Sequence, residues 1–397
     1  MSDSPREFSR GMILLLAAAS ALGPVAMQIM LPAIPIVRET FEVSTGTAQL
    51  TLSLSMLSIA IATLIYGPLS DRYGRRPVML AGISITVIGS ILCMAADSIA
   101  WLIFGRIVQA AGGAVGLVLA RAIVRDTYPA DRAASVIATL VMVMVVMPML
   151  SPLVGGELMI RFDWHSIFYL VAAISLTMLF AMQRALPETL KKQTPFTGVG
   201  SMLKGFVTLL RSRIFSAYAM NVAFVSVMFF SFIAAAPEVM VSVLNRPPNE
   251  YGYYFILVPS AFMAGNYVAR WLSTRFGVKR MITSGSWLSI TGISIALILH
   301  LGGLLHPLAL FMPIALTTFG NGISLPNAQA AAINEFPDMA GSASGLTGFL
   351  QMGFSAVAAQ LVALMFNGTV YPMLLLMLTA ATLSLVSFYI AQRHQSN

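Results

Sequence analysis

Segments of about 20 mostly apolar residues, the length a helix needs to cross a lipid bilayer, follow one another along this chain with short polar breaks. Such a pattern leaves little choice of solvent. With 58% hydrophobic and only 10% charged residues, the chain has too few polar groups to cover a surface in water, so lipid must surround it. The segments predict twelve spans, at residues 11–34, 47–68, 77–96, 99–120, 133–156, 166–182, 214–236, 251–271, 281–299, 304–326, 340–366 and 371–391. The expected fold is therefore an all-α integral membrane protein with twelve transmembrane helices and no large water-exposed domain.

Lys and Arg set the orientation, because cytoplasmic loops retain them during insertion. With a cytoplasmic N-terminus, 19 of the 23 Lys and Arg fall on the cytoplasmic side. Arg38, Arg161 and Arg246 lie outside, and Arg106 lies within span 4. The turn between spans 10 and 11 departs from the pattern, carrying Glu335 and Asp338 and no base. The net charge of +8 thus reflects topology, and no nucleic-acid partner is expected. The first span follows Arg6 and Arg10 as a signal peptide would, but it is long and eleven more follow, so it is read as retained. A lone cysteine, Cys93, admits neither an intrachain disulfide nor a cysteine metal cluster, and no metal or cofactor is expected.

The longest hydrophilic stretch, residues 184–213, contains Pro187, Lys191, Lys192, Pro195 and Lys204 and lies near the midpoint. It divides the chain into residues 1–184, a cytoplasmic linker 185–213, and residues 214–397. A weak repeat supports two equivalent halves. Residues 274–280, TRFGVKR, match residues 71–77, DRYGRRP, in frame, glycine on glycine. Two pseudo-symmetric six-helix bundles are the expected arrangement.

The stretch from Gly67 to Val78, GPLSDRYGRRPV, turns spans 2 and 3 at the membrane surface. Gly67 and Gly74 suit a tight backbone, and Arg72, Arg75 and Arg76 hold the turn in the cytoplasm. It closely resembles the loop between helices 2 and 3 of the major facilitator superfamily, roughly G-x-L-a-D-r-x-G-r-r. Asp126 ends span 4 on the same side. The resemblance implies that Asp71, Arg75 and Asp126 form a conformational latch; an ordinary solvated charge cluster is the alternative.

Span 5 ends with Pro148 and Pro152 followed by Gly155 and Gly156. It is similar to the g-x-x-x-G-P-x-x-G-G element of the antiporter branch, with Ser151 in place of its first glycine. Prolines bend the helix and the glycines allow a neighbour to approach closely, so a merely bent helix also fits. Span 4 carries Arg106 and Gln109, resembling the family's R-x-x-Q-G element. An arginine about 10 Å into the membrane, at ~1.5 Å per residue, is a functional candidate by default; snorkelling of its stem to the interface is the alternative.

Span 1, ALGPVAMQIMLPAIP, resembles the drug:proton antiporters of the Bcr/CflA group, which usually read s-P-l-a-x-D-m-y-L-P-a-l-P, and span 11 around Gly348 and Gln351 is similar to that group as well. Gln28 occupies the position of the usual aspartate. An amide cannot take up and release a proton at physiological pH, so coupling through that position is lost. Gln28 lies about 9 Å deep at ~1.5 Å per residue, similar to Arg106, and the two are expected to face one another. Proton carriers are then sought at Glu238 and Glu157 near outer ends, with Arg106 as a third participant in coupling; either acid also fits a solvated cap.

Helices 1, 4, 7 and 10 mainly line the cavity in the resembled superfamily. That makes Met27, Gln28, Arg106, Gln109, Asn221, Phe224 and Asn321 the expected substrate contacts, with Gln351 behind them. Intramembrane asparagines also bond neighbouring helices. The expected function is export of small amphiphilic compounds against inward proton flow, with uptake symport of an anionic or zwitterionic metabolite as the alternative. The expected location is a bacterial inner membrane, with both termini cytoplasmic and the chain monomeric. No H-E-x-x-H, G-x-S-x-G or Walker-type phosphate loop occurs, so no enzymatic activity is expected.

Overall fold

The computed structural model describes residues 8–190 and 199–395, and among these the ordered elements are all helical. They are α1 (Arg10–Gln28), α2 (Ile34–Thr40), α3 (Thr45–Tyr73), α4 (Arg75–Met94), α5 (Ile99–Thr127), α6 (Ala130–Arg161), α7 (Ser166–Ala185), α8 (Val199–Arg211), α9 (Arg213–Ser242), α10 (Glu250–Phe255), α11 (Leu257–Leu301), α12 (Pro307–Asn334), α13 (Ala340–Leu364) and α14 (Tyr371–Gln395). Runs of Leu, Ile, Ala and Met sustain the long helices. Ser9, Ser98 and Ser212 begin α1, α5 and α9 by accepting a backbone N–H from the first turn.

Eleven described helical segments are long and apolar enough to cross a membrane. One of them, Glu250–Leu301, has 52 residues. Straight, it would measure about 78 Å at ~1.5 Å per residue, more than twice the ~30 Å hydrocarbon core. It is broken at Gly277, whose φ of 79° and ψ of 159° are non-helical. The segment is therefore two spans, and the described residues hold the expected twelve.

Gly74 plays the same part between α3 and α4. α3 ends at Tyr73 and α4 begins at Arg75, so this one residue, at φ 101° and ψ 153°, makes the whole turn. Gly67 does not share that role: it lies inside α3, and open space surrounds the position its Cβ would take.

Two spans and the midchain stretch also differ from the sequence reading. The first does not run straight to residue 34, because α1 stops at Gln28 and a 3-10 turn at Leu31–Ala33 leads into α2. Pro32 and Pro35, lacking N–H donors, account for the interruption. The fifth span is longer than expected: α6 continues through Pro148, Pro152 and the glycines to Arg161. The hydrophilic stretch at midchain contains α8, which has 13 residues; Lys191, Lys192 and Pro195 lie outside the described residues, as does Arg6.

The chain divides into two compact units, Met1–Glu42 with Leu50–Phe196, and Val43–Gln49 with Thr197–Asn397. In the first unit, helices cross at glycines. A Cβ on Gly116 of α5 would lie 1.8 Å from the Ala19 carbonyl oxygen of α1, and one on Gly89 of α4 would lie 2.2 Å from the Gln109 amide nitrogen. Gly155 does the same for α6, its Cβ position being 2.1 Å from the Ile29 oxygen. A buried apolar cluster of Ile29, Met30, Cys93, Leu102, Phe168 and neighbours closes one end of this unit. In the second unit α11 packs on α12 by the same device, with Gly285 and Gly292 set against the Gly320 and Pro313 carbonyls. Its core gathers Leu209, Phe215, Tyr218, Ile282 and Phe388.

Candidate functional site

The single-residue turn at Gly74 carries a dense charged cluster in the first unit. Arg75 is 9% exposed. Its Nε donates to Asp126 Oδ2 at 2.9 Å, and one terminal nitrogen lies 2.6 Å from both Asp71 Oδ1 and Ser70 Oγ. The geometry follows from helix spacing: Asp71 precedes Arg75 by four residues across the turn, while Asp126 reaches in from the last turn of α5. The structure thus brings together the three residues the sequence groups as a latch. The remaining arginines there behave differently. Arg76 donates to the Gln183 carbonyl at 2.7 Å, and exposed Arg72 lies over the Tyr73 ring.

Sequence reasoning missed one member of this cluster. Glu188, just past α7, accepts the backbone N–H groups of Arg75 at 2.9 Å and Arg76 at 3.2 Å, and also those of Thr189 and Leu190 at 2.9 Å. The first N–H groups of a helix have no partner within it, and a carboxylate there also meets the positive end of the helix dipole. Partial burial pushes the Glu188 carboxyl up, but the N–H groups of Leu190, Arg75, Arg76 and Thr189 outweigh it and hold the group below the usual carboxylate range. The Gly74 Cβ position is 2.4 Å from Glu188 Oε2, so a side chain at residue 74 would collide with the cap. The available signal was a lone acid in an otherwise basic stretch from Arg184 to Lys192.

Deeper in the first unit, Arg106 of α5 is 2% exposed. It donates to the Ala26 carbonyl at 2.9 Å and to Gln109 Oε1, while Gln109 Nε2 donates to Ser90 Oγ at 2.8 Å. The Ala26 carbonyl is available because it lies in the last turn of α1, where backbone carbonyls have no partner within the helix. No acid pairs with Arg106 among the described residues. Its bonds go to Ala26 and Gln109 rather than to Gln28, which ends α1 half-buried; Met27 is buried beside it. Arg106 Nε has no hydrogen-bond partner.

In the second unit, Asn221 of α9 donates to the Ser384 carbonyl and hydroxyl of α14 at 2.7 and 2.9 Å. Asn321 of α12 accepts from Ser289 at 2.9 Å, with its Nδ2 unpartnered. Phe224 meets Phe354 edge to face at 5.9 Å, and Gln351 accepts from Gln329 at 3.3 Å. Glu238 lies inside α9, beyond the expected end of the span, and is 3% exposed; Ser242 donates to its Oε1. It is therefore no solvated cap. Glu157, within α6, is about one-third exposed and lies 3.7 Å from Arg161.

Comparison with known proteins agrees with this architecture. The family model of the Major Facilitator Superfamily matches residues 16–360. The chain is 27% identical over 386 residues to a bicyclomycin resistance protein homolog of Haemophilus influenzae, covering 95% of each chain. It is 30% identical over 365 residues to multidrug resistance protein D of Escherichia coli, covering 91% of this chain and 90% of the relative. Among solved structures, the peptide transporter POT in complex with sulfate superimposes with a TM-score of 0.78 at 15% identity, covering 98% of this chain and 96% of that one. Twelve spans, a glycine-turned charged cluster and a family match across most of the sequence lead to one assignment: the chain belongs to the Major Facilitator Superfamily.

Proposed function

We propose that this multi-pass membrane transporter exports small amphiphilic compounds by alternating access, driven by protons moving inward. The observation that carries the reading is the Asp71–Arg75–Asp126 cluster on the Gly74 turn. It joins the ends of α3, α4 and α5 through one guanidinium, so breaking it releases three helix ends at once. That is the behaviour required of a latch that holds one conformation and yields to the other. Similarity to relatives named for bicyclomycin and multidrug resistance supports efflux of drug-like cargo. The Lys and Arg distribution, together with bacterial relatives, supports a bacterial inner-membrane location with both termini in the cytoplasm; the working unit is the monomer.

The proposed substrate contacts are Met27, Gln28, Arg106, Gln109, Asn221, Phe224, Asn321 and Gln351. For coupling, Glu238 is favoured over Glu157. Glu238 is a carboxyl 3% exposed inside a spanning helix, where an acid is a functional candidate by default, whereas Glu157 is partly solvated beside Arg161. The span 5 element with Pro148, Pro152, Gly155 and Gly156 supports exchange in the outward direction. A second reading, uptake of a small anionic or zwitterionic metabolite, draws support from Arg106, a buried cation with no acid beside it among the described residues.

Purified protein in proteoliposomes, given an imposed pH gradient and a panel of anionic, neutral and cationic compounds, tests both. Proton efflux from vesicles loaded at acidic pH, coupled to entry of substrate added outside, supports antiport. Proton movement in the same direction as substrate supports symport, and absence of flux for every compound defeats both.

A further inference from the structure

We infer that α8 is a membrane-surface helix whose outer face binds anionic phospholipid, through Lys204 and Arg211 for the headgroup and Val207 and Leu210 for the acyl chains. Its position is set by covalent continuity. One residue, Ser212, separates α8 from the membrane-spanning α9. The corner is fixed by hydrogen bonds: Ser212 N–H donates to the Leu209 carbonyl at 3.1 Å, Ser216 Oγ donates to the Leu210 carbonyl at 2.9 Å, and Ser212 Oγ accepts from Phe215 N–H at 3.2 Å. α8 therefore starts from the bilayer boundary.

The helix is anchored on one side only. Leu209 is fully buried and packs with Phe215 and Tyr218, Phe206 joins them, and the Gly205 Cβ position is 3.2 Å from Met339 Cε. At 100° per residue, Leu210 and Val207 lie next along the helix surface from Leu209 and Phe206, then Arg211 and Lys204 beyond them. Val207 and Leu210 are 50% and 49% exposed, and Lys204, Arg211 and the adjoining Arg213 are exposed too. Apolar surface thus extends past the area the protein covers and is bordered by cations with no acid in the helix. A helix graded from apolar to basic across its free face matches the acyl-to-headgroup gradient of a bilayer. The basic border makes the matching headgroup an anionic one.

The test uses the full chain in nanodiscs of phosphatidylglycerol or of phosphatidylcholine. Cys93 is buried, so spin labels at Val207→Cys and Leu210→Cys report from the surface. Both labels are expected to meet oxygen more than a water-soluble nickel chelate in phosphatidylglycerol discs. The preference for phosphatidylglycerol over phosphatidylcholine around the protein, read with spin-labelled lipids, should fall about fivefold for each of Lys204→Gln and Arg211→Gln. Nickel access matching that of a water-exposed label in both lipids would overturn the proposal, as the face would be open to water. Protection from both oxygen and nickel would also overturn it, since another segment or a second copy would then cover the face. Equal lipid preference in the parent and in both glutamine variants would overturn the anionic selectivity.

Discussion

Glu188 and Arg75 are joined at the backbone, the Glu188 carboxylate accepting the Arg75 N–H at 2.9 Å while the Arg75 guanidinium points to Asp126. One residue is thus fixed at both ends, its main chain by the segment after α7 and its side chain by α5. The cap therefore determines where the guanidinium starts from.

Glu188→Gln is expected to lower stability in detergent at neutral pH by about 0.3–1 kcal/mol, the scale of a solvent-exposed carboxylate at a helix N-terminus. The folded carboxyl titrates below its ordinary value of 4.5. Its stabilisation is therefore present above that value and lost as pH falls through the lower folded value. Melting curves of parent and variant should differ at pH 7 and converge in acid. A difference that ignores pH would remove the carboxylate from the explanation.

Arg75→Lys keeps a charge but cannot reach Asp71, Ser70 and Asp126 together, because an ammonium lacks the planar fork of a guanidinium. Transport is expected to drop about tenfold or more, corresponding to about 1.4 kcal/mol at 25 °C, with expression preserved. Asp126→Asn should weaken the same step. Proteoliposome flux equal to the parent's in both variants contradicts the latch.

Gly116→Ala and Gly67→Ala form a contrast pair. The first places a methyl 1.8 Å from the Ala19 carbonyl oxygen and must push α1 from α5, whereas the second enters open space. Overpacking costs about 1–3 kcal/mol, and alanine inside a helix gains about 0.5–1 kcal/mol over glycine. Thermal denaturation should separate them in opposite directions. Equal shifts would show that the α1–α5 contact is not close.

Arg106→Ala and Arg106→Lys probe the cargo. If Arg106 selects anionic or zwitterionic compounds, both variants lose those substrates while lysine retains more than alanine. Unchanged transport across the compound panel for both would sink that role.

Glu238→Gln removes a titratable group while keeping its shape. Proton movement accompanying substrate should vanish, while substrate binding and downhill exchange persist. Retention of proton coupling would return attention to Glu157.

The spans and the turning glycine were legible because length, hydropathy and a glycine between charged residues are local signals. The in-frame match of residues 71–77 and 274–280 pointed to equivalent turns, and both Gly74 and Gly277 adopt left-handed φ with extended ψ. The pairing of Arg75 with Asp126 was suggested by resemblance and appears in the geometry. Glu188 escaped notice because its partners at Arg75 and Arg76 are backbone groups, which carry no residue-type signature. The contacts of Arg106 differ from the expectation for a similar reason: its acceptor on α1 is a backbone carbonyl of the last helical turn, whereas resemblance and depth point to the Gln28 side chain. α8 was hidden within a hydrophilic stretch, its apolar residues spaced for one helical face rather than gathered into a run.

The one-residue connection at Gly74 leaves no slack between α3 and α4. Adding a single residue to the last turn of α3 after Asp71 would rotate Asp71 by roughly 100° about the axis of α3 relative to the joint, away from the Arg75 guanidinium. The length of this joint is consequently as strict a requirement as its chemistry, and a chain that drifts in residue number here loses the contact even with every charge retained.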